Sequence, residues 1–342
     1  MPELLAPFFR FGTLVAFLPV VAFLVSLLLL DSFKLVRLGA VLLGVGAGVI
    51  AAVISYFANG ALADLADISP TSFSRYGAPL VEEILKGCYV YLLIRRKKVG
   101  FMVDAAILGF AIGAGFGIAE NMYYLRALES AGLPVLVLRG FGTAIMHGGT
   151  TALFAVLCKS LSEQHHSPGP RAVLPGLLNA YAIHSIYNHF PVAPALSAAT
   201  VLLLLPAVLG LVFRRSECSL REWLGVGFDT DAELLETIRT GRVADTRIGE
   251  YLNTLQARFA PEVVADMLCL LHIRTELSIR AKGVLLMREA GFRPEPDPAI
   301  EERFAELRYL ERSIGRTGLL ALHPCHRWSD RDLWQLHMLG RG

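Results

Sequence analysis

The sequence predicts an all-α protein, a polytopic bundle of about seven transmembrane helices followed by a C-terminal domain that is soluble and mostly α-helical. Of its 342 residues 54% are hydrophobic and only 18% are charged, which is more apolar than is usual for a soluble protein. Nearly all long apolar runs lie in residues 1–213, whereas residues 214–342 mix apolar and charged side chains. We therefore predict a transmembrane domain at 1–213 and a second domain at 214–342.

The seven predicted spans are apolar windows separated by polar breaks, each about the ~20 residues that a membrane-crossing helix needs. We place them near residues 11–30, 38–58, 77–94, 102–125, 139–158, 173–191 and 194–213. The first is interpreted as a retained span, because it is longer than the apolar core of a signal peptide and no small-residue cleavage site is evident before Asp31. Only the segment from Pro191 to Pro194 separates the last two.

The orientation of these spans follows from the basic residues of the short loops. Cytoplasmic loops carry an excess of Lys and Arg, and one set of loops holds ten such residues against four in the other. The richer set comprises Lys34, Arg37, Arg95, Arg96, Lys97, Lys98, Lys159, Arg171, Arg214 and Arg215. The sequence therefore predicts an N-terminus outside the cell and a C-terminal domain in the cytoplasm.

The C-terminal domain is predicted from amphipathic stretches at 231–239, 247–259, 261–289 and 298–312. Pro261 suits a helix start, and Gly291 to Pro298 predicts a break. The domain offers no catalytic constellation, so we expect regulation, oligomerisation or the binding of a regulatory partner. Basic and acidic residues nearly balance in both domains, which argues against nucleic acid as a partner.

Ionisable residues occur inside four of the predicted spans, where each costs roughly 2.5–3.5 kcal/mol and is a functional candidate by default. With the predicted orientation, the carboxylates and histidines all fall in the outward half of the bundle. The residues concerned are Glu82, Glu83 and Lys86 in the third span, Glu120 and Asn121 in the fourth, His147 in the fifth, and His184 and Asn188 in the sixth. His189 lies closer to the interface and is left outside the predicted site.

The spacing of these residues along each helix indicates which side chains share a helix face. Glu82 and Lys86 are four residues apart and can pair along one helix face, whereas Glu83 points about 100° away. His184 and Asn188 have the same spacing and can address one space. Small residues on the fourth span permit close approach to neighbouring helices. They are Gly109, Gly113, Gly115 and Gly117.

This set of side chains suits the hydrolysis of a peptide bond by an activated water. Imidazoles and carboxylates are the usual ligands of a catalytic Zn²⁺, and a free carboxylate beside the metal-bound water can be its base. We predict Glu120, His147 and His184 as metal ligands, and assign catalytic roles to Glu82, Glu83, Lys86 and Asn188. Asn188, Asn121 or Lys86 would donate to the oxyanion. A metal-free mechanism, in which a glutamate activates water directly, stays open.

Four sequence blocks in this order resemble the PrsW family of intramembrane proteases. They are Glu82-Glu83-x-x-Lys86, Phe116-x-x-x-Glu120-Asn121, Met146-His147-Gly148-Gly149 and His184-x-x-x-Asn188. The resemblance implies an integral protein of a bacterial plasma membrane that cleaves a membrane-anchored protein, for example an anti-sigma-factor-like regulator. It also implies that the paired glutamates and the histidines are catalytic, usually as a metal site. Related CaaX-processing peptidases carry a histidine where this chain has Glu120, which weakens any assignment to prenyl-protein processing.

Two other functions compete with the peptidase. Buried carboxylates and histidines also form the ion pathways of transporters and ion carriers, but such a pathway needs polar residues through both leaflets. The second alternative is a non-catalytic membrane receptor with a cytoplasmic signalling domain, but that function leaves the buried charges unexplained. The outward crowding of the ionisable residues favours hydrolysis near the extracytoplasmic face.

Overall fold

The protein is described by a computed structural model that covers residues 11–66, 68–127, 133–165, 168–292, 294–295, 297–325 and 330–340. The fold is 86% helix and has no strand within these ranges. The chain forms two compact units, residues 1–217 and 218–342. The all-α prediction is confirmed, while the roles assigned to 1–213 and 214–342 stay predictions.

The first unit contains six long helices and the start of a seventh. Their bounds are α1 Phe11–Leu30, α2 Leu38–Ala66, α3 Ala78–Arg95, α4 Met102–Ala127, α5 Ala144–Gln164, α6 Pro170–His189 and α7 Pro194–Arg239. A short turn, Pro70–Ser72, and a π-helical turn, Phe73–Gly77, precede α3. The short helix Leu133–Leu138 and a second π-helical turn, Arg139–Thr143, precede α5.

Four of these helices are long and apolar enough to cross a membrane, so the seven predicted spans are confirmed only in part. The four segments are Leu38–Leu65, Met102–Leu125, Arg139–Gln164 and Pro194–Arg239, and Phe17–Leu30 is a shorter apolar stretch. Helix α3 falls short because Glu82, Glu83, Lys86 and Arg95 interrupt it, and α6 carries several polar side chains of its own. Part of the candidate site therefore lies on α3 and α6. The polar side chains of the site lower the hydropathy of these two helices.

The second unit consists of the rest of α7 and four further helices, α8 Arg247–Leu255, α9 Pro261–Glu289, α10 Ala299–Ala321 and α11 Asp330–Leu339, with a 3₁₀ turn at Arg242–Asp245. Pro261 occupies the first turn of α9, and no helix is described between Glu289 and Ala299, as predicted. A buried ion pair joins Lys282 Nζ to Asp231 Oδ2 at 2.6 Å. Helix α7 begins at Pro194, where the last predicted span begins, and ends at Arg239.

Helix α4 is the centre of the first unit, and its glycines let two neighbouring backbones approach it. A Cβ added at Gly113 would lie 2.1 Å from the carbonyl oxygen of His147 on α5, and one at Gly115 would lie 2.0 Å from that of Val45 on α2. The small-residue surface predicted for α4 is therefore confirmed. Its consequence for the site is that α5 is held against α4 at the turn that carries His147.

Candidate active site

Six of the predicted site residues meet where helices α3, α4, α5 and α6 come together. Glu83, Lys86, His147 and His184 have relative exposures of 2%, 0%, 1% and 2%. Glu82 and Glu120 are partly exposed, so the cluster has an open side. Burial of so many ionisable groups is expensive unless they pair with one another. The pairing described below is therefore what makes the cluster possible.

Glu83 is the centre of the buried part of the cluster. Its Oε1 lies 2.6 Å from Lys86 Nζ and 2.8 Å from His184 Nδ1, and it accepts a longer hydrogen bond of 3.4 Å from Thr150 Oγ1. The expected pairing of Lys86 with Glu82 is wrong. Lys86 instead turns towards α4 and α5, where its Nζ lies 4.8 Å from the ring centroid of Phe116.

Glu82 turns away from this lysine and faces helix α2. Its Oε1 accepts a hydrogen bond of 3.3 Å from Asn59 Nδ2, and its Oε2 lies 3.8 Å from His184 Nε2. The two adjacent glutamates thus contact opposite ring nitrogens of His184. The roughly 100° step between neighbouring residues of a helix explains why their environments differ.

The hydrogen bonds of His184 define which of its nitrogens can bind a metal. An ionised carboxylate only accepts, so Nδ1 carries the proton and donates it to Glu83. In the neutral ring Nε2 keeps its lone pair, which faces Glu82 Oε2 at 3.8 Å. Two ligands that each lie about 2.0–2.2 Å from a Zn²⁺ ion can be this far apart. A carboxylate that fixes the far nitrogen is also the usual support of a metal-binding histidine.

His147 has a different environment, because a cation and a carboxylate flank its ring. Lys86 Nζ lies 3.1 Å from Nδ1, and Glu120 Oε2 lies 2.9 Å from Nε2. With Lys86 as the donor to Nδ1, the ring donates its Nε2 proton to Glu120. Its ring centroid is 4.7 Å from that of His184, at nearly a right angle. Coordination through Nε2 needs the lone pair of that nitrogen, so the ring would have to take the other neutral tautomer, with its proton on Nδ1.

Arg139 is a site residue that the sequence analysis missed. The π-helical turn before α5 presents its guanidinium, whose Nη2 lies 3.3 Å from Glu120 Oε1. Its Nε donates to Asn121 Oδ1 at 3.1 Å. Arg139 stands at the predicted edge of a span, where an arginine indicates only a loop charge. Asn59 and Thr150 were also missed, although an amide within an apolar helix is a detectable signal.

Asn188 does not join the cluster, which argues against its predicted role as an oxyanion donor. Its Nδ2 donates to Ser74 O at 3.0 Å, in the π-helical turn before α3. Ser185 Oγ donates to Arg75 O of the same turn at 2.7 Å. The end of α6 is thus fastened to the start of α3. Asn188 consequently holds together the two helices that carry His184 and the paired glutamates.

The cluster fits a divalent metal ion. Glu82, His147 and His184 each offer a ligand atom, and these atoms all lie within 4.8 Å of one another. With neutral histidines, three carboxylates (Glu82, Glu83, Glu120) face two cations, Lys86 and Arg139. This leaves one buried negative charge for a cation to balance. The geometry thus favours Glu82 in place of Glu120, which was the predicted third ligand.

Substitution of Gly113 is expected to disable the site without removing any polar group. In Gly113→Val the new Cβ would overlap the His147 carbonyl, so α5 must move and carry His147 away from Glu120 and Lys86. A displacement of about 1 Å costs roughly 10²-fold in catalysis. The measurement is proteolytic activity of the purified variant. The matched control is Gly39→Val, where a Cβ would meet nothing within 4 Å; equal activity of the two variants would contradict this account.

Comparison with known proteins supports the chemistry of the cluster. The PrsW-protease model, described as PrsW family intramembrane metalloprotease, matches residues 32–212, which is more than half of the chain. That range contains every residue of the cluster. No curated protein and no solved structure gives a significant match.

Proposed function

Because the chain belongs to the PrsW family of intramembrane metalloproteases and is therefore an integral membrane protease, we propose that it cleaves a membrane-anchored protein near the extracytoplasmic face, using water activated by the α3–α6 cluster. The convergence of Glu82, His147 and His184 carries the proposal. An anti-sigma-factor-like regulator is the kind of substrate that we expect. The transporter or ion-carrier alternative is not favoured by the family.

In the proposed site Glu82, His147 and His184 would hold a Zn²⁺ ion, and the chemistry that it would supply is a water of lowered pKa and polarisation of the scissile carbonyl. Glu83 orients His184 through Nδ1 and compensates the charge of Lys86. Lys86 occupies a fully buried position between Glu83 and His147. Glu83 and Lys86 therefore position the two histidine ligands.

Glu120 is proposed as the general base. It is partly exposed, in contact with His147 and ion-paired with Arg139, so it can exchange a proton with the open side of the cluster. The arginine keeps the carboxylate ionised and aimed. A proton taken from water can then be passed to the leaving amine, as a general base becomes a general acid. Asn59 Oδ1 is buried without a hydrogen-bond partner among the described residues.

The proposed setting in the membrane rests on the distribution of basic residues. The loop charges favour an extracytoplasmic site and a C-terminal domain, residues 214–342, in the cytoplasm of a bacterial cell. The substrate and the surrounding lipid would meet the first domain. A regulatory partner would bind the second.

The proposal is tested by cleavage of single-span substrates in reconstituted liposomes. Wild-type protein is expected to produce a discrete product, and His184→Ala to reduce the rate by at least ~10³-fold, as loss of a central catalytic residue does. His189→Ala is the matched control, because His189 belongs to the same helix and, among the described residues, its ring hydrogen-bonds Ser185 O and packs on Tyr76 outside the cluster. Equal rates for wild type and His184→Ala would contradict the proposed function.

A further inference from the structure

Beside the cluster, an apolar pocket of about 370 Å³ opens between α5, α6 and the first turns of α7. Its walls include Leu153 from α5, Ile183 and Ile186 from α6, and Val201 and Leu204 from α7. All of these residues belong to the first unit. The pocket is more than twice the ~150 Å³ of a cavity that holds benzene. It therefore has room for a large apolar group.

The pocket shares a wall with the candidate site. Thr150 lines the pocket, and its Oγ1 also donates to Glu83 Oε1 at 3.4 Å. Met146 and Ile183, two other lining residues, directly precede His147 and His184 in the chain. Consecutive helical residues lie about 100° apart, so the pocket faces border the faces that carry the ligands. A group in the pocket would lie next to the reacting centre.

The lining selects for apolar ligands. Four residues of the wall carry hydroxyls, and two of these are used locally: Thr150 Oγ1 shares its one hydrogen between His147 O and Glu83 Oε1, and Thr200 Oγ1 donates to Leu196 O. Among the described residues that line it, none carries a carboxylate, an amine, a guanidinium or an imidazole. Gly149 permits its closure, since a Cβ there would meet the side chain of Leu205 at 2.8 Å. Ile186 and Leu204 are 60% exposed and form an open rim.

We infer that this pocket receives a large apolar side chain of the substrate, close to the scissile peptide bond, and so determines which position is cut. The inference rests on the proposed function, because it takes the α3–α6 cluster as the place of cleavage. Thr150 lines the pocket and also contacts Glu83, so an occupant would lie beside the place of cleavage. This position favours a substrate side chain over a lipid chain as the occupant. A transmembrane substrate is rich in such side chains, so the pocket would select among many similar positions.

Photo-crosslinking tests the occupancy without requiring cleavage. The probe is a synthetic single-span peptide of leucine and alanine, with one leucine replaced by its diazirine analogue at successive positions. It would be irradiated with the full-length protein in lipid nanodiscs. We expect crosslinks to Leu153, Ile183 or Val201 from one or two positions only. Equal crosslinking from all positions would overturn the inference, as would a diazirine phospholipid that labels the pocket and is not displaced by the peptide.

Two variants that fill the pocket complete the test. Thr200→Trp and Val201→Trp should lower the pocket crosslinks, and lower cleavage next to a large apolar residue by about 10-fold or more, while cleavage next to alanine is retained. Leu203→Trp is the control, because Leu203 is 74% exposed and does not line the pocket. Thr200 is exposed, so its variant should fold even if the Val201 variant does not.

Failure of the proposed function and failure of the pocket assignment would give different results. Position-specific crosslinks without any cleavage by wild type would leave the pocket as a peptide site and defeat the proposed function. Normal cleavage with unchanged preference in both filled variants would defeat the pocket assignment alone.

Discussion

Glu82→Gln is expected to weaken Zn²⁺ binding by more than the ~10–100-fold that loss of a supporting residue around a metal site costs. The physical reason is that Glu82 Oε2 faces the free Nε2 of His184, and a neutral amide is a poor ligand in its place. Bound zinc would be measured by elemental analysis and its affinity by competition with a chelator. Neither readout depends on proteolysis.

Glu120→Gln is the matched comparison, because it changes the same functional group in the same cluster. If Glu120 is the base, this variant should keep its zinc and lose activity by about 10²–10⁴-fold. The reverse pattern, with zinc lost in Glu120→Gln and kept in Glu82→Gln, would restore Glu120 as a ligand. Retention of zinc in both variants would remove the proposed site altogether.

The sequence was sufficient to find the all-α fold and six of the residues that meet in the cluster. An apolar stretch with an ionisable residue in its interior is a strong signal, because burial of a charge must be compensated by function or by a partner. The predicted spans 11–30, 77–94 and 102–125 nearly coincide with α1, α3 and α4. The glycines of α4 likewise indicated close approach before any neighbour was known.

The roles within the cluster could not be predicted from spacing alone. Lys86 can reach a glutamate either three or four residues earlier, and the choice of Glu83 depends on His147 and Phe116, which come from other helices. Spacing alone was also the basis for placing Asn188 in the cluster. Its spacing from His184 is correct for one helix face, but its amide donates to Ser74 O in the turn before α3.

Lys86→Met is expected to destabilise the protein by about 3–5 kcal/mol, the usual cost of removing one partner from a buried ion pair. The lysine has no exposed surface, and its Nζ is 2.6 Å from Glu83 Oε1. Methionine preserves most of the side-chain volume but leaves the carboxylate without its cation. Stability would be followed by unfolding in mixed detergent micelles. Arg95→Met, an exposed change on the same helix, should alter it by no more than about 0.5 kcal/mol.

The double variant Lys86→Met/Glu83→Gln separates charge from packing. Replacing both members of a buried pair is often neutral, so the double variant should recover most of the stability that Lys86→Met loses. Its glutamine oxygen can still accept from His184 Nδ1, which keeps that ring oriented. If the double variant is as unstable as the single one, Lys86 acts through its contact with Phe116. Recovery would instead show that Lys86 is present to neutralise the carboxylate that orients a metal ligand.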